Sequence, residues 1–284
     1  MKRLNESGQM ILIASFIIGI GIVVLTVMLN NIVYASNTAS ESSIETNVFD
    51  FSNVVQTTTE AYEKAYADSN NGYDNATFDA YMANYSEKMT ESYSLSGFMF
   101  SLDSGALQDT YLSQNGLGNG NNDWAVIERV NYTDAFLLGR LNVSTLGNES
   151  NKFVIEANNQ SGTTIWSASF FNSSGNINLN VCNSSSILNS KNDSFSEINI
   201  TYNEIDGGFF DFDFSNQVAG ETYSIKFING SQAMGTFLMS GDLVNRDPFY
   251  IERVEVVNST MKLNKNGHLE INVTIPITLP KGQI

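Results

Sequence analysis

A single cysteine, Cys182, and a single histidine, His268, occur in 284 residues. One thiol cannot close an intrachain disulfide framework, and one imidazole excludes a multi-histidine metal centre or a Cys-rich zinc site. Basic residues are also scarce: 14 Lys+Arg face 30 Asp+Glu, a formal net charge of -16. A phosphate backbone is a poor partner for such a chain, so no nucleic acid is expected. No serine stands in a Gly-x-Ser-x-Gly elbow and no glycine loop is built for phosphate, which leaves nucleophilic and nucleotide chemistry without support. Nothing among the acids picks out two as partners for glycoside hydrolysis. No enzymatic activity, catalytic residue, cofactor or resident metal is expected.

What the chain does have is a greasy start. Residues 10–29, MILIASFIIGIGIVVLTVML, carry no charge. At about 1.5 Å rise per residue they match the roughly 30 Å hydrocarbon core of a bilayer. The run therefore predicts one transmembrane helix over residues 9–35. Lys2 and Arg3 precede it and an acidic bulk follows, so the positive-inside rule puts residues 1–8 in the cytoplasm and the bulk outside. Two other readings compete. Val33-Tyr34-Ala35 before Ser36 can pass as the cleavage site of an ordinary secretory signal, and the run could be a buried core helix.

Directly before the span stands Glu6-Ser7-Gly8-Gln9. A short basic leader, a Gly-Gln junction and an immediate apolar helix resemble the class III signal peptide of archaeal type IV pilins and related membrane-anchored, pilin-like proteins. The resemblance covers about residues 1–40. It implies cleavage between Gly8 and Gln9 and display at the cell surface. Many pilins carry a glutamate a few residues into the mature helix, whereas positions 10–29 hold no acid. Within the span Ser15, Gly19 and Thr26 share one helical face, where small residues would let a second helix, of this chain or a related subunit, approach closely.

Beyond Asn31 the residues Ile44, Val48, Phe51, Val55, Tyr62 and Tyr66 recur at spacings of three, four or seven, the period of an amphipathic helix. Asn70-Asn71-Gly72 should stop it. A second helix is expected from Ala76 to about Tyr93, with Phe78, Tyr81, Met82, Tyr85 and Met89 on one face. Residues 36–95 thus read as an extracellular helical stalk, or as the helical part of a pilin-like fold packed on a β-domain. The segment 96–123, with its Gly/Asn stretch from Asn115 to Asn122, reads as a linker.

From Trp124 the period becomes two. Ile198, Ile200 and Tyr202, then Phe210, Phe212 and Phe214, then Tyr223, Ile225 and Phe227, and finally Leu269 to Leu279 alternate with polar residues. That is the pattern of half-buried strands. Further strands are expected at Ala125–Val130, Lys152–Ala157, Thr163–Phe171, Asn176–Cys182 and Tyr250–Leu263, with Pro276 and Pro280 near an edge or the end of the last strand. The fold class expected is α+β: an N-terminal transmembrane helix and helical stalk, followed by an antiparallel β-sandwich of immunoglobulin-like type over residues 124–284.

Asn-x-Ser/Thr glycosylation acceptors are dense: Asn75, Asn84, Asn131, Asn142, Asn148, Asn159, Asn172, Asn183, Asn192, Asn199, Asn229, Asn258 and Asn272. Each offers an amide beside a hydroxyl, as an oligosaccharyltransferase requires; Asn199 and Asn272 fall on the expected solvent faces of their strands. Asp206, Asp211 and Asp213, or the loop ending at Asp123, could supply oxygens to calcium, but neither matches a twelve-residue calcium loop. His268 reads as a solvated turn residue and Cys182 as a small buried apolar one. The expected function is a pilin-like surface protein, structural or adhesive, anchored in the lipid bilayer; the alternative is a permanently tethered extracellular ligand-binding or sensor module.

Overall fold

The computed structural model describes residues 51–265 and 269–280. Contacts divide the chain into two units, residues 1–57 and residues 58–284. The expected transmembrane segment, Gly8, Gln9, Ser15, Gly19, Thr26 and His268 lie outside the described residues. Among the described residues no helix is long and apolar enough to cross a membrane.

Residues 51–68 are helical (α1), and a second helix, α2, spans Asn75–Leu95. Asn70, Asn71 and Gly72 end the first with φ of 56°, 57° and 79°, a left-handed run that glycine and asparagine tolerate best. Asp74 starts the second by accepting from the Thr77 backbone N–H at 3.2 Å, a conventional N-cap bond. Ala61, Tyr62, Ala65 and Tyr66 form the buried face of α1, and Phe78 and Met82 that of α2.

Fifteen strands follow among the described residues: β1 (Met99–Ser104), β2 (Gln108–Asp109), β3 (Trp124–Gly139), β4 (Phe153–Asn159), β5 (Thr164–Ser173), β6 (Asn176–Asn183), β7 (Ile187–Asp193), β8 (Ile198–Asn199), β9 (Glu204–Ile205), β10 (Gly208–Phe209), β11 (Tyr223–Ile228), β12 (Thr236–Leu243), β13 (Pro248–Arg253), β14 (Glu255–Lys265) and β15 (Leu269–Leu279). A four-residue helix, α3 (Phe214–Gln217), precedes β11. All strand pairs are antiparallel.

The small sheet runs β1-β14-β15, with β2 on the end of β14. Its Val257, Ile277 and Leu279 share one apolar cluster with Tyr62, Tyr66, Phe78 and Met82 of the helices. One expectation is corrected here: the segment 96–123 is not merely a linker, because β1 and β2 pair with β14. Of the two readings left open for the helical region, the helices from residue 58 on follow the one that packs on β-structure: an alternating hairpin has an apolar face to cover, and the helices cover it. Pro276 does lie on an edge strand, β15.

The large sheet folds about β3. The first half of β3 pairs with β11, which leads on through β4, β5 and β6 to β7; the second half pairs with β12 on one side and β8 on the other. Register breaks near Arg129 (φ 59°) and Asp134 bend it between the halves, the usual effect of bulges. Rings from both halves meet in one core: Phe227 of β11 lies 5.3 Å from Phe237 of β12, and Trp166 of β5 lies 4.9 Å from Phe214, both edge to face.

Three expected strands differ. The strand at Ile198 stops at Asn199, and the alternating Phe210, Phe212 and Phe214 occupy a loop and α3 rather than a strand. Asn203, Asp206 and Asp213 adopt φ of 57°, 47° and 51°, which interrupts any ladder, yet all three phenylalanines are buried. Tyr250–Leu263 is two strands, divided at Val254.

Candidate functional site

Directly opposed residues on neighbouring antiparallel strands point to the same face. Following that rule across the large sheet, Phe209 of β10 opposes Glu204 of β9, Glu204 opposes Asn199 of β8, Asn199 opposes Leu137 of β3, Leu137 opposes Leu238 of β12, and Leu238 opposes Glu252 of β13. One row of side chains therefore crosses six strands. It lies on the face opposite Leu138 and Phe237, which point into the core.

Five of the six, all but Phe209, line an open cleft of about 400 Å³. Leu137 and Leu238 give its floor an apolar centre, while Glu204 and Glu252 stand towards its two ends, with Glu197, Asp206 and Arg140 also on the wall. At the row's end the Phe209 side chain is 81% exposed. Arg140 faces the Asp109 carboxylate at 3.8 Å. The Asp206 carboxylate accepts from the backbone N–H of Glu197 at 2.9 Å and of Ser196 at 3.3 Å, so it fixes the turn that forms one wall. An apolar floor between carboxylates, with an exposed ring at the rim, suits contact with a saccharide or a polypeptide segment.

The displaced titrations lie outside this cleft. Burial pushes the Tyr223 phenol up to about 12, against a 2.7 Å hydrogen bond with Thr133 Oγ1. Burial likewise pulls Arg253 down to about 10. Burial raises the Glu255 carboxyl, opposed by the Arg140 charge and aided by Asp109.

The carboxylates that could supply oxygens to calcium are used within the fold. Asp211 accepts from the Asp213 N–H at 2.9 Å, Asp213 accepts from the side-chain amides of Asn216 and Gln217, both at 2.6 Å, and Asp123 accepts from the Asn229 N–H at 2.9 Å. Among the described residues no three His, Cys, Asp or Glu are grouped to hold a metal ion. Cys182 is half-buried rather than buried, on β6.

None of the thirteen acceptor asparagines is buried. Asn272 is exposed, whereas Asn199 is half-buried in the cleft row, its Oδ1 accepting from Thr201 Oγ1 and the Tyr202 N–H, each at 3.1 Å. The row itself escaped sequence reasoning. Its members come from six strands, one residue each, and the usable signal was local: Leu137 and Leu238 are apolar residues next to core positions, Leu138 and Phe237.

Comparison of the chain with protein-family models, with curated proteins and with solved structures gave no match.

Proposed function

We propose that this is a pilin-like surface protein, structural or adhesive, held in a bilayer by residues 9–35 with the bulk of the chain outside. The observation that carries the reading is the charge-free run of residues 10–29 directly behind Lys2, Arg3 and Gly8-Gln9; twenty such residues suffice to span about 30 Å of hydrocarbon. A polar, acidic exterior that keeps every acceptor asparagine at least partly accessible supports outward display. The large bent sheet, closed around one aromatic core, is read as a β-sandwich of immunoglobulin-like type. Display of such a domain leaves the cleft row as the adhesive face.

Mass spectrometry of the mature amino terminus tests the processing. A start at Gln9 is expected; an intact Met1 supports the tethered module instead, and a start at Ser36 indicates ordinary secretion. Shearing cells then separates polymer from lone anchor: sedimentation as a filament supports the structural reading, and recovery only as a detergent-extracted monomer contradicts assembly.

The second reading, a tethered binding module, is favoured by one specific feature, the row from Phe209 to Glu252. Its test is a glycan and peptide array probed with the outer region, alongside the same region carrying Leu238→Glu. Binding lost in the variant supports it; equal binding by both, or none by either, contradicts it.

A further inference from the structure

The acceptor asparagines differ in what their carboxamide nitrogens do, and the difference sorts them. Glycan transfer forms a bond from Nδ2 to the anomeric carbon of a sugar donor. The bond from that carbon to the donor's phosphate oxygen breaks, the phosphate leaves with the electron pair, and one Nδ2 proton passes to a base. The nitrogen must therefore be reachable and must have room for a pyranose ring.

At Asn172 and Asn229 it is already committed. Asn172 Nδ2 donates to Val143 O at 2.9 Å, while its Oδ1 accepts from the Gly175 N–H at 3.0 Å and its backbone N–H donates to Gly147 O at 2.8 Å. Both ends of that amide are used to tie the β5–β6 turn to the loop after β3. Asn229 Nδ2 donates to Lys152 O at 3.0 Å from a residue held at φ 57°. Both side chains are half-buried. A sugar on either nitrogen would have to fit between the amide and the carbonyl it meets, and a displaced half-buried carbonyl loses its partner.

Four other acceptors present the opposite case. Asn84, Asn131, Asn192 and Asn272 are exposed and lie inside α2, β3, β7 and β15, whereas Asn75, also exposed, is the first residue of α2. A third group forms turns through the oxygen: Asn142, Asn148, Asn159 and Asn183 each accept, through Oδ1, the backbone N–H two residues on, at 3.0, 2.9, 3.1 and 2.9 Å, and Asn142 Nδ2 also donates to Met234 Sδ at 4.0 Å. These are Asx-turns, in which the amide oxygen stabilises the local bend whether or not a glycan is present.

We propose that Asn84, Asn131, Asn192 and Asn272 carry N-linked glycans and that Asn172 and Asn229, despite intact Asn-x-Ser sequences, are structural clasps that stay unmodified. This assignment rests on the outward orientation of the domain. It implies that glycans coat α2, the central strand β3 and the edge strand β7 of the large sheet, and the hairpin β14–β15, while the turn between β5 and β6 stays bare.

The test is glycopeptide mass spectrometry on the full chain isolated from its native membranes, with protease treatment of intact cells run in parallel. Glycan at the four open positions and unmodified Asn172 and Asn229 are expected. A glycan on either clasp, or four bare open positions, overturns the assignment. A bare protein that is still cut on intact cells overturns the glycan map alone, whereas a protein protected on intact cells overturns the orientation beneath it. Two variants separate clasp from acceptor. Asn131→Gln should lower the mass by one glycan and leave the urea midpoint unchanged; Asn172→Gln should leave the glycan mass unchanged and lower the midpoint. The reverse pattern contradicts the proposal.

Discussion

The guanidinium of Arg253 lies 5.2 Å from the centroid of the Trp124 ring and 5.2 Å from that of the neighbouring Phe237 ring. Arg253 is buried, and it donates to the carbonyl oxygens of Ser113 and, at 2.9 Å, Gln114. Trp124 in turn donates from Nε1 to Leu112 O at 3.0 Å. The pair therefore pins residues 112–114 to the last residue of β13, one position from where the chain leaves the large sheet for the small one. Charge-assisted bonds and two ring faces offset the cost of desolvating the cation.

Arg253→Ala leaves those carbonyls unsatisfied and leaves a void beside the two rings. A loss of about 3 kcal/mol is expected. Arg253→Lys should recover only a minor part, because an ammonium lacks the planar fork that serves two carbonyls and stacks on rings. Urea unfolding of the three proteins checks both statements; a lysine variant as stable as the parent would contradict them.

Trp166 is fully buried and donates from Nε1 to Phe212 O at 2.8 Å. Trp166→Phe keeps an aromatic ring but orphans that carbonyl, so a loss of about 1–3 kcal/mol is expected, against about 3–5 kcal/mol for Trp166→Ala. Chemical denaturation midpoints measure the gap. Equal losses would mean that the indole N–H contributes little.

Gly241 of β12 faces the bend in β3, where an added Cβ would collide with Tyr132 O and stand 2.9 Å from Thr133 Cα. Both obstacles are backbone and cannot rotate away. Gly241→Ala should therefore cost about 1–3 kcal/mol, visible as a lowered melting temperature. No change in melting temperature would show that β3 can yield there.

Glu255 makes stability depend on pH. Its carboxyl titrates above the ordinary value of 4.5, chiefly through burial, so between 4.5 and its raised value the folded state holds a proton that the unfolded state has released. Stability from this group is thus full at low pH and falls as pH rises through that window. Glu255→Gln should match the parent near pH 4 and exceed it at pH 7. Urea midpoints across that range decide the matter; parallel profiles would contradict it.

Local patterns made the helices and the last strand readable. Phe78, Tyr81, Met82 and Tyr85 keep a helical period, Asn70-Asn71-Gly72 ends one helix, and Leu269 to Leu279 keeps strict alternation. β3 hid itself: its buried residues Val126, Ile127, Val130, Thr133, Phe136 and Leu138 fall at irregular spacing because four register shifts along it, two against β11 and two against β12, move the buried face. Phe210, Phe212 and Phe214 mislead in the opposite sense, since alternation survives in a loop where each ring is drawn into the core. Pairing of β1 with β14, and the row from Phe209 to Glu252, depend on contacts between segments far apart in sequence. No local period encodes them.

Orientation is the claim on which the surface role stands. Protease added to intact cells, followed by detection of the region from residue 58 onward, measures it directly. Cleavage or release of that region without lysis is expected, with the span of residues 10–29 left protected in the membrane fraction. Full protection of the region on intact cells, together with recovery of the native chain in buffer without detergent, would contradict it.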